Sequence, residues 1–181
     1  MVRIFPFIFI LLWSSAFITT KPIIDNSDPF SALAFRFFFV ALGFYLFSIY
    51  TKHSIAVSKK NLLESFFSGV LFHGFYLGGV FYSISIGMPT GIAALIVTLQ
   101  PILTNALSGS LLGEKVTTKQ WVGVLLGFAG ATLVLGMDIG SGIPMLGLVA
   151  TVVALIAITT STIWQKKLSN NLPLSVSNFY Q

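Results

Sequence analysis

Long apolar runs separated by short polar stretches make up most of this 181-residue chain. The first run extends from about Ile4 to Thr20 and gives way to the polar stretch Lys21 to Asp28. Asp28-Pro29 reads as a helix start, since an aspartate accepts from orphan backbone amides and proline tolerates the first helical position. The second run, about Phe30 to Tyr50, ends at a basic loop from Thr51 to Lys60. Asn61 with Glu64 three residues later opens the third, which continues to about Ile86 before a tight turn at Gly87-Met88-Pro89. The fourth covers Thr90 to Leu112 and stops at Gly113, a residue suited to a left-handed C-cap. Thr117 and Gln120 form a capping box for the fifth, which reaches about Met137. After a polar break from Asp138 to Gly142, the sixth spans about Ile143 to Trp164. Runs of roughly 17 to 25 residues match the length of a membrane-crossing helix and far exceed that of a barrel strand. Helix is the expected conformation for all six, because backbone facing lipid must satisfy its own hydrogen bonds. The expected fold class is all-α, a polytopic membrane protein.

Composition supports that architecture and removes others. Only 8% of residues are charged and 55% are hydrophobic, whereas a soluble domain carries about 25% charged residues. Soluble enzymes and disulfide frameworks are excluded on this ground, and the chain has no cysteine. The net charge of +5 does not imply a nucleic-acid partner, because ten basic residues scattered over so apolar a chain cannot form a continuous cationic face. Anionic lipid headgroups at the cytoplasmic loops are the expected partner instead. No phosphate-binding loop, metal-ligand spacing or catalytic triad is present, so neither enzymatic activity nor a cofactor is expected.

The cations also orient the chain. With the N-terminus in the cytoplasm, Arg3, Lys52, Lys59, Lys60, Lys115, Lys119, Lys166 and Lys167 lie inside and only Lys21 falls in an outer loop. Arg36 lies within a segment. The expected location is a multi-pass protein of the cell's inner membrane. A rival reading takes the first segment as a signal peptide, from Arg3, the short apolar run and the small residues Ser14, Ser15 and Ala16.

Sliding the chain on itself by about 144 positions places Pro29 on Pro173, Ser31 on Ser175 and Phe35 on Phe179. In both windows an apolar helix ends in a cation-bearing polar linker, and a proline then opens a new segment. A five-helix unit is odd in number, so its second copy enters the membrane from the opposite side; transporters of this inverted-repeat design place substrate near the midplane. The expected domains are residues 1–137 as a first repeat and 138–181 as the start of a second, incomplete one. The full reading frame is expected to add four further helices.

Several stretches resemble the EamA family of the drug/metabolite transporter superfamily. They are Trp13-Ser14-Ser15-Ala16-Phe17, Pro29 with Arg36-Phe37, and Gly91-Ile92-Ala93-Ala94-Leu95-Ile96 running to Pro101. Gly113-Glu114-Lys115, Gln120-Trp121-Val122-Gly123 and Gly127-Phe128-Ala129-Gly130 complete the resemblance. It implies a ten-helix transporter built from two inverted five-helix repeats, of which six helices are present here, exporting or exchanging small organic metabolites.

Candidate substrate-binding residues come from four segments. Thr98, Pro101 and Asn105 lie on a small and polar stripe with Thr90, Ala94 and Ser108, and Pro101 leaves the Val97 carbonyl without its helical donor. That feature fits either a kink lining the pathway or a packing kink. His73 and Tyr76 share a face with Gly69, Val80 and Ser83, while Gly74 and Gly78 form a GxxxG pair for close helix contact. His73 fits a proton-coupling role or a hydrogen-bonded packing histidine. Arg36, toward the outer leaflet, fits snorkelling, pairing with Asp25 or Asp28, or recognition of an anionic substrate. Trp13, Ser14 and Ser15 would supply an aromatic wall beside two hydroxyls. Gly123, Gly127 and Ala131 read as a packing face, and Glu114 as a partner of Lys115 or Lys119. The functional reading is a carrier of a small-molecule substrate, either paired with a C-terminal half or working as a homodimer of inverted copies. The alternatives are a structural or partner membrane subunit and a non-functional transporter fragment.

Overall fold

The computed structural model describes residues 4–112, 117–135, 142–168 and 172–181. The Gly113 cap, the Glu114 and Lys115 pairing, most of the Asp138–Gly142 break, and the side chains of Ser108 and Ala131 lie outside the described residues. Among the described residues every regular element is helical. Large apolar side chains stand on the outside, as on Phe35 and Leu126, which are 71% and 68% exposed. Four stretches, Pro29–Tyr50, Lys59–Ser85, Thr90–Leu107 and Met145–Leu168, are long and apolar enough to cross a membrane. The outward apolar surface is that of a polytopic membrane protein whose solvent is lipid.

Helix α1, Phe5–Asn26, runs through the stretch expected to be a loop from Lys21, and only Ser27 and Asp28 separate it from the next helix. The polar residues remain helical because they satisfy one another and the backbone. Lys21 Nζ binds Asp25 Oδ1 one turn away at 3.1 Å, while Asn26 Nδ2 and Ser27 Oγ donate to the Pro22 and Ile23 carbonyls at 2.8 and 2.7 Å. Helix α2, Pro29–Tyr50, starts as its sequence dictates: Pro29 occupies the first turn and the Asp28 carboxylate accepts the Ser31 amide at 2.8 Å. That bond, reinforced by the Ser31 hydroxyl, lowers the Asp28 pKa from its ordinary value.

Helix α3, Lys59–Ser85, begins two residues before the expected Asn61 because Ser58 is its cap, its hydroxyl accepting the Asn61 amide at 3.2 Å. Its middle departs from the expected α-helix: Val70–Gly78 is π-helical. Such a stretch adds a residue to each turn and is rare beyond one turn. Gly69 and Gly79 flank it at the points where an added Cβ would crowd the backbone of Gln181 and of Ala150.

The fourth segment forms two helices, α4, Thr90–Val97, and α5, Gln100–Leu112. The expected kink at Pro101 is a break at Thr98 and Leu99, where the Leu99 amide bonds the Ile96 carbonyl in a tight turn at 3.1 Å. Pro101 would clash with the carbonyl four residues back inside a continuous helix, and here it sits in the first turn of α5, where proline is tolerated. The capping box that opens α6, Thr118–Leu135, is formed reciprocally: the Thr117 amide donates to Gln120 Oε1 at 2.8 Å and the Gln120 amide to Thr117 Oγ1 at 3.4 Å.

Helix α7, Met145–Leu168, is the centre of the molecule, packing along α3 and against α4 and α5. Its inward positions Gly147, Thr151, Ala154, Ala157 and Ile158 are buried, and small residues there let backbones approach. A Cβ added at Gly79 of α3 would lie 3.0 Å from the Ala150 carbonyl oxygen and 3.2 Å from the Ala154 Cβ. The GxxxG pair does not make this contact. A Cβ at Gly74 would meet nothing within 4 Å, and one at Gly78 would make ordinary contacts with the Phe30 ring at 3.6 Å and the His73 carbonyl oxygen at 3.9 Å. Gly123 and Gly127 of α6 have the same open surroundings as Gly74, where an added Cβ would meet nothing within 4 Å.

A short helix α8, Leu174–Tyr180, follows Pro173 and packs on α2 and the start of α3. Phe179 meets Tyr45 with ring centroids 5.4 Å apart, and the Tyr180 hydroxyl donates to the Ile55 carbonyl at 2.9 Å. From α3 to α7 to α8 runs a polar chain that includes Ser68 with Ser161 at 3.1 Å and Gln165 with Gln181 at 2.9 Å.

Candidate substrate cavity

Helices α1, α2 and α3 enclose a cavity of about 210 Å³. On α1 the positions Trp13, Ala16, Phe17 and Thr20 follow one another at helical spacing and, with Leu12, form one wall. The opposite wall is Phe72, Tyr76, Leu77, Val80 and Phe81 of α3, and α2 contributes Arg36. The wall on α3 begins within the π-helical stretch, whose wider turn changes the direction of each side chain relative to an α-helical register.

The rings of Trp13 and Tyr76 are nearly parallel, 7° apart, with centroids 6.4 Å apart, and Phe72 stands edge-on to Tyr76 at 5.3 Å. Aromatic pairs in such geometries contribute about 0.5–1.5 kcal/mol beyond their buried area. Tyr76 is buried, Trp13 half-buried, and the Thr20 hydroxyl is already engaged with the Ala16 carbonyl at 2.7 Å. The cavity is therefore apolar and aromatic, with Arg36 as its one charged lining residue. An arginine at the centre of a membrane helix costs roughly 2.5–3.5 kcal/mol on insertion scales, which favours an anionic partner or an aqueous path. Neither carboxylate considered for pairing with it binds it: Asp25 is paired with Lys21 and Asp28 caps α2.

The nine candidate residues divide into three groups. Trp13, Arg36 and Tyr76 meet in the cavity. His73, one turn before Tyr76 in sequence, lies outside the lining, held between the rings of Phe37 at 4.4 Å and Phe72 at 5.1 Å. Its Nδ1 is buried with no hydrogen-bond partner. Ser14, Ser15, Thr98, Pro101 and Asn105 do not line the cavity. Ser14 and Ser15 are exposed and the Ser15 hydroxyl donates back to the Leu12 carbonyl at 2.8 Å; the exposed Thr98 does the same to Ala94 at 2.8 Å. Pro101 is exposed and Asn105 half-buried on α5. Sequence reasoning missed Ala16, Phe17 and Thr20, although the Trp13, Ala16, Phe17 and Thr20 stripe was legible as an i, i+3, i+4, i+7 pattern. It also missed Phe72 and Phe81, although Phe72 lies four positions before Tyr76 and Phe81 four after Leu77 on the same face.

A polytopic helical membrane protein with an aromatic cavity and a lone cation among its lining residues is the class that fold and cavity define. Residues 3–136 match the EamA-like transporter family, and the chain belongs to that family. It is 26% identical over 163 residues to a protein of Escherichia coli K12 named a probable amino-acid metabolite efflux pump, covering 90% of this chain and 52% of that protein. A protein of the same name from Salmonella typhimurium LT2 is 25% identical over 165 residues, 91% of this chain and 53% of the relative. The uncharacterized transporter YvbV of Bacillus subtilis 168 is 22% identical over 161 residues, 87% and 51% of the two lengths. The chain thus spans about half the length of the curated relatives it matches. No solved structure matches it.

Proposed function

We propose that this chain supplies the first five-helix unit, residues 1–137, and the opening of a second unit, 138–181, of a carrier that moves small organic metabolites across the cell's inner membrane. The N-terminus faces the cytoplasm and the eight inner cations meet anionic headgroups. The observation that carries the reading is the cavity of about 210 Å³, with an aromatic pair on two walls and a cation on the third. Pockets for drug-sized ligands measure about 300–1,000 Å³, so this one suits a smaller solute. Substrate rests against Trp13 and Tyr76 beside Arg36. The break between α4 and α5, with Thr98, Pro101 and Asn105, supplies the hinge that exchanges access between the two sides. His73 holds the π-helical wall between Phe37 and Phe72.

The test is efflux from cells producing the chain in its full-length context, with the Escherichia coli relative as the reference carrier. Trp13→Ala is expected to lower efflux of an amino-acid metabolite at least tenfold at unchanged membrane expression. Pro101→Ala, which restores an amide to α5, is expected to slow turnover while leaving half-saturation within about twofold. Efflux at the parental rate by both variants overturns the assignment. Orientation is tested by single cysteines in this cysteine-free chain: an impermeant thiol reagent applied to intact cells is expected to label position 142 but not 59. The reverse pattern refutes the inside N-terminus.

A further inference from the structure

The distribution of charge around the cavity narrows the substrate class, an inference that rests on the carrier reading above. Arg36 lies seven positions after Pro29, the first residue of α2, and so about 10 Å along the helix axis from its outer end. Its nearest acidic neighbours in sequence make other contacts: Asp25 with Lys21 at 3.1 Å and Asp28 with the Ser31 amide at 2.8 Å. Among the described residues no carboxylate lies within 4.0 Å of Arg36. A guanidinium presents a planar fork of donors that matches a carboxylate in two parallel hydrogen bonds. Away from Arg36 the lining offers no acid, so a second, positive group on the solute has no carboxylate there to receive it. What it offers is ring surface: Trp13 and Tyr76 near-parallel and Phe72 edge-on to Tyr76. Flat apolar groups pack on such surfaces with a gain beyond area alone.

We propose that the cavity selects aryl-bearing monocarboxylates, with the carboxylate on Arg36 and the ring against Trp13 and Tyr76. An uncharged aryl solute satisfies the rings but leaves the guanidinium unpaired, and an alkyl carboxylate satisfies Arg36 but not the rings. Both halves of the recognition are therefore separable by substitution. An anionic lipid headgroup could offer Arg36 the same chemistry as a solute carboxylate, so the experiment has a separate arm for each source.

The full-length protein in nanodiscs of neutral phosphatidylcholine is titrated with phenylacetate, phenylacetamide and hexanoate by calorimetry. Phenylacetate is expected to bind at least tenfold more tightly than either analogue. Arg36→Gln is expected to abolish the difference between acid and amide, and Arg36→Lys to retain part of it, which separates lost recognition from lost folding. Trp13→Leu is expected to abolish the difference between phenylacetate and hexanoate while preserving the preference for acid over amide. Equal affinities in the parent, or an Arg36→Gln variant that keeps the tenfold preference for the acid, overturn the proposal. In discs containing phosphatidylglycerol the preference is expected to persist; its loss there assigns Arg36 to the lipid headgroup and overturns it too. Flux of radiolabelled phenylacetate into proteoliposomes tests the carrier reading by itself. Selective binding without flux refutes the carrier and leaves the selectivity standing, whereas flux of other metabolites without selective binding refutes the selectivity and leaves the carrier.

Discussion

Replacing Gly79 by valine tests whether the contact between α3 and α7 is as close as the structure has it. The first carbon of the new side chain would stand 3.0 Å from the Ala150 carbonyl oxygen and 3.2 Å from the Ala154 Cβ. The carbonyl belongs to the backbone of α7 and cannot rotate away, so the helices must separate along the seam. Overpacking of this kind costs roughly 1–3 kcal/mol. Against it stands a gain of only about 0.4 kcal/mol, the difference between valine and glycine in helix propensity. The net expectation is a loss of about 1.6 kcal/mol, a fall of roughly fifteenfold in the ratio of folded to unfolded protein. Ala154→Gly in the same chain relieves the Cβ contact but not the carbonyl contact, so it should recover part of the loss. Gly74→Ala is the control: its added carbon meets nothing within 4 Å, and the variant should match the parent or exceed it by up to about 1 kcal/mol. Unfolding in mixed micelles with rising dodecyl sulfate, followed by circular dichroism, gives the comparison. If Gly79→Val unfolds with the parent while Gly74→Ala is destabilised, the close contact lies on the other glycine face and the packing of α3 on α7 described above is wrong.

Three further outcomes follow from local geometry. Thr117→Ala removes one half of a reciprocal cap and should cost about 1 kcal/mol of α6 stability, read as earlier hydrogen exchange at the start of that helix; unchanged protection refutes the cap. Asp28 has a lowered pKa in the folded chain because it accepts the Ser31 amide, so its contribution is present above the unfolded value near 3.8 and is lost as pH falls through the lower folded value. Asp28→Asn keeps an acceptor that does not titrate, and it should flatten the acid limb of the stability profile; an unaltered profile counts against the cap. Gln100→Leu removes the bonds from Gln100 Nε2 to Thr104 at 3.1 Å and Thr162 at 3.3 Å, and should cost about 0.6 kcal/mol, the average for polar contacts between membrane helices. A neutral result in the same micelle assay would mean that water already serves these groups.

What the sequence determined by itself is what short-range physics decides. Apolar runs of crossing length require helices, and the Asp28-Pro29 start and the Thr117 and Gln120 box lie within four residues of the amides they satisfy, so their chemistry is complete locally. The end of α1 was misjudged because hydropathy counts Lys21, Asp25, Asn26 and Ser27 as solvent-seeking, although each finds a partner within one turn. The tertiary structure decided the rest. A π-helical stretch looks like any apolar helix in the pattern of residues, and only packing among α1, α2 and α7 reveals that Val70–Gly78 takes the wider turn. Phe72 and Tyr76 line the cavity, while His73 of the same stretch lies beside Phe37. The same holds for glycines: Gly74, Gly78 and Gly79 are equivalent on paper, and the side of α3 on which α7 lies makes Gly79 the contact. Trp13, Arg36 and Tyr76 were each conspicuous as single residues, but they lie on three different helices. Their convergence on one cavity depends on how those helices cross, a long-range arrangement that no local pattern encodes.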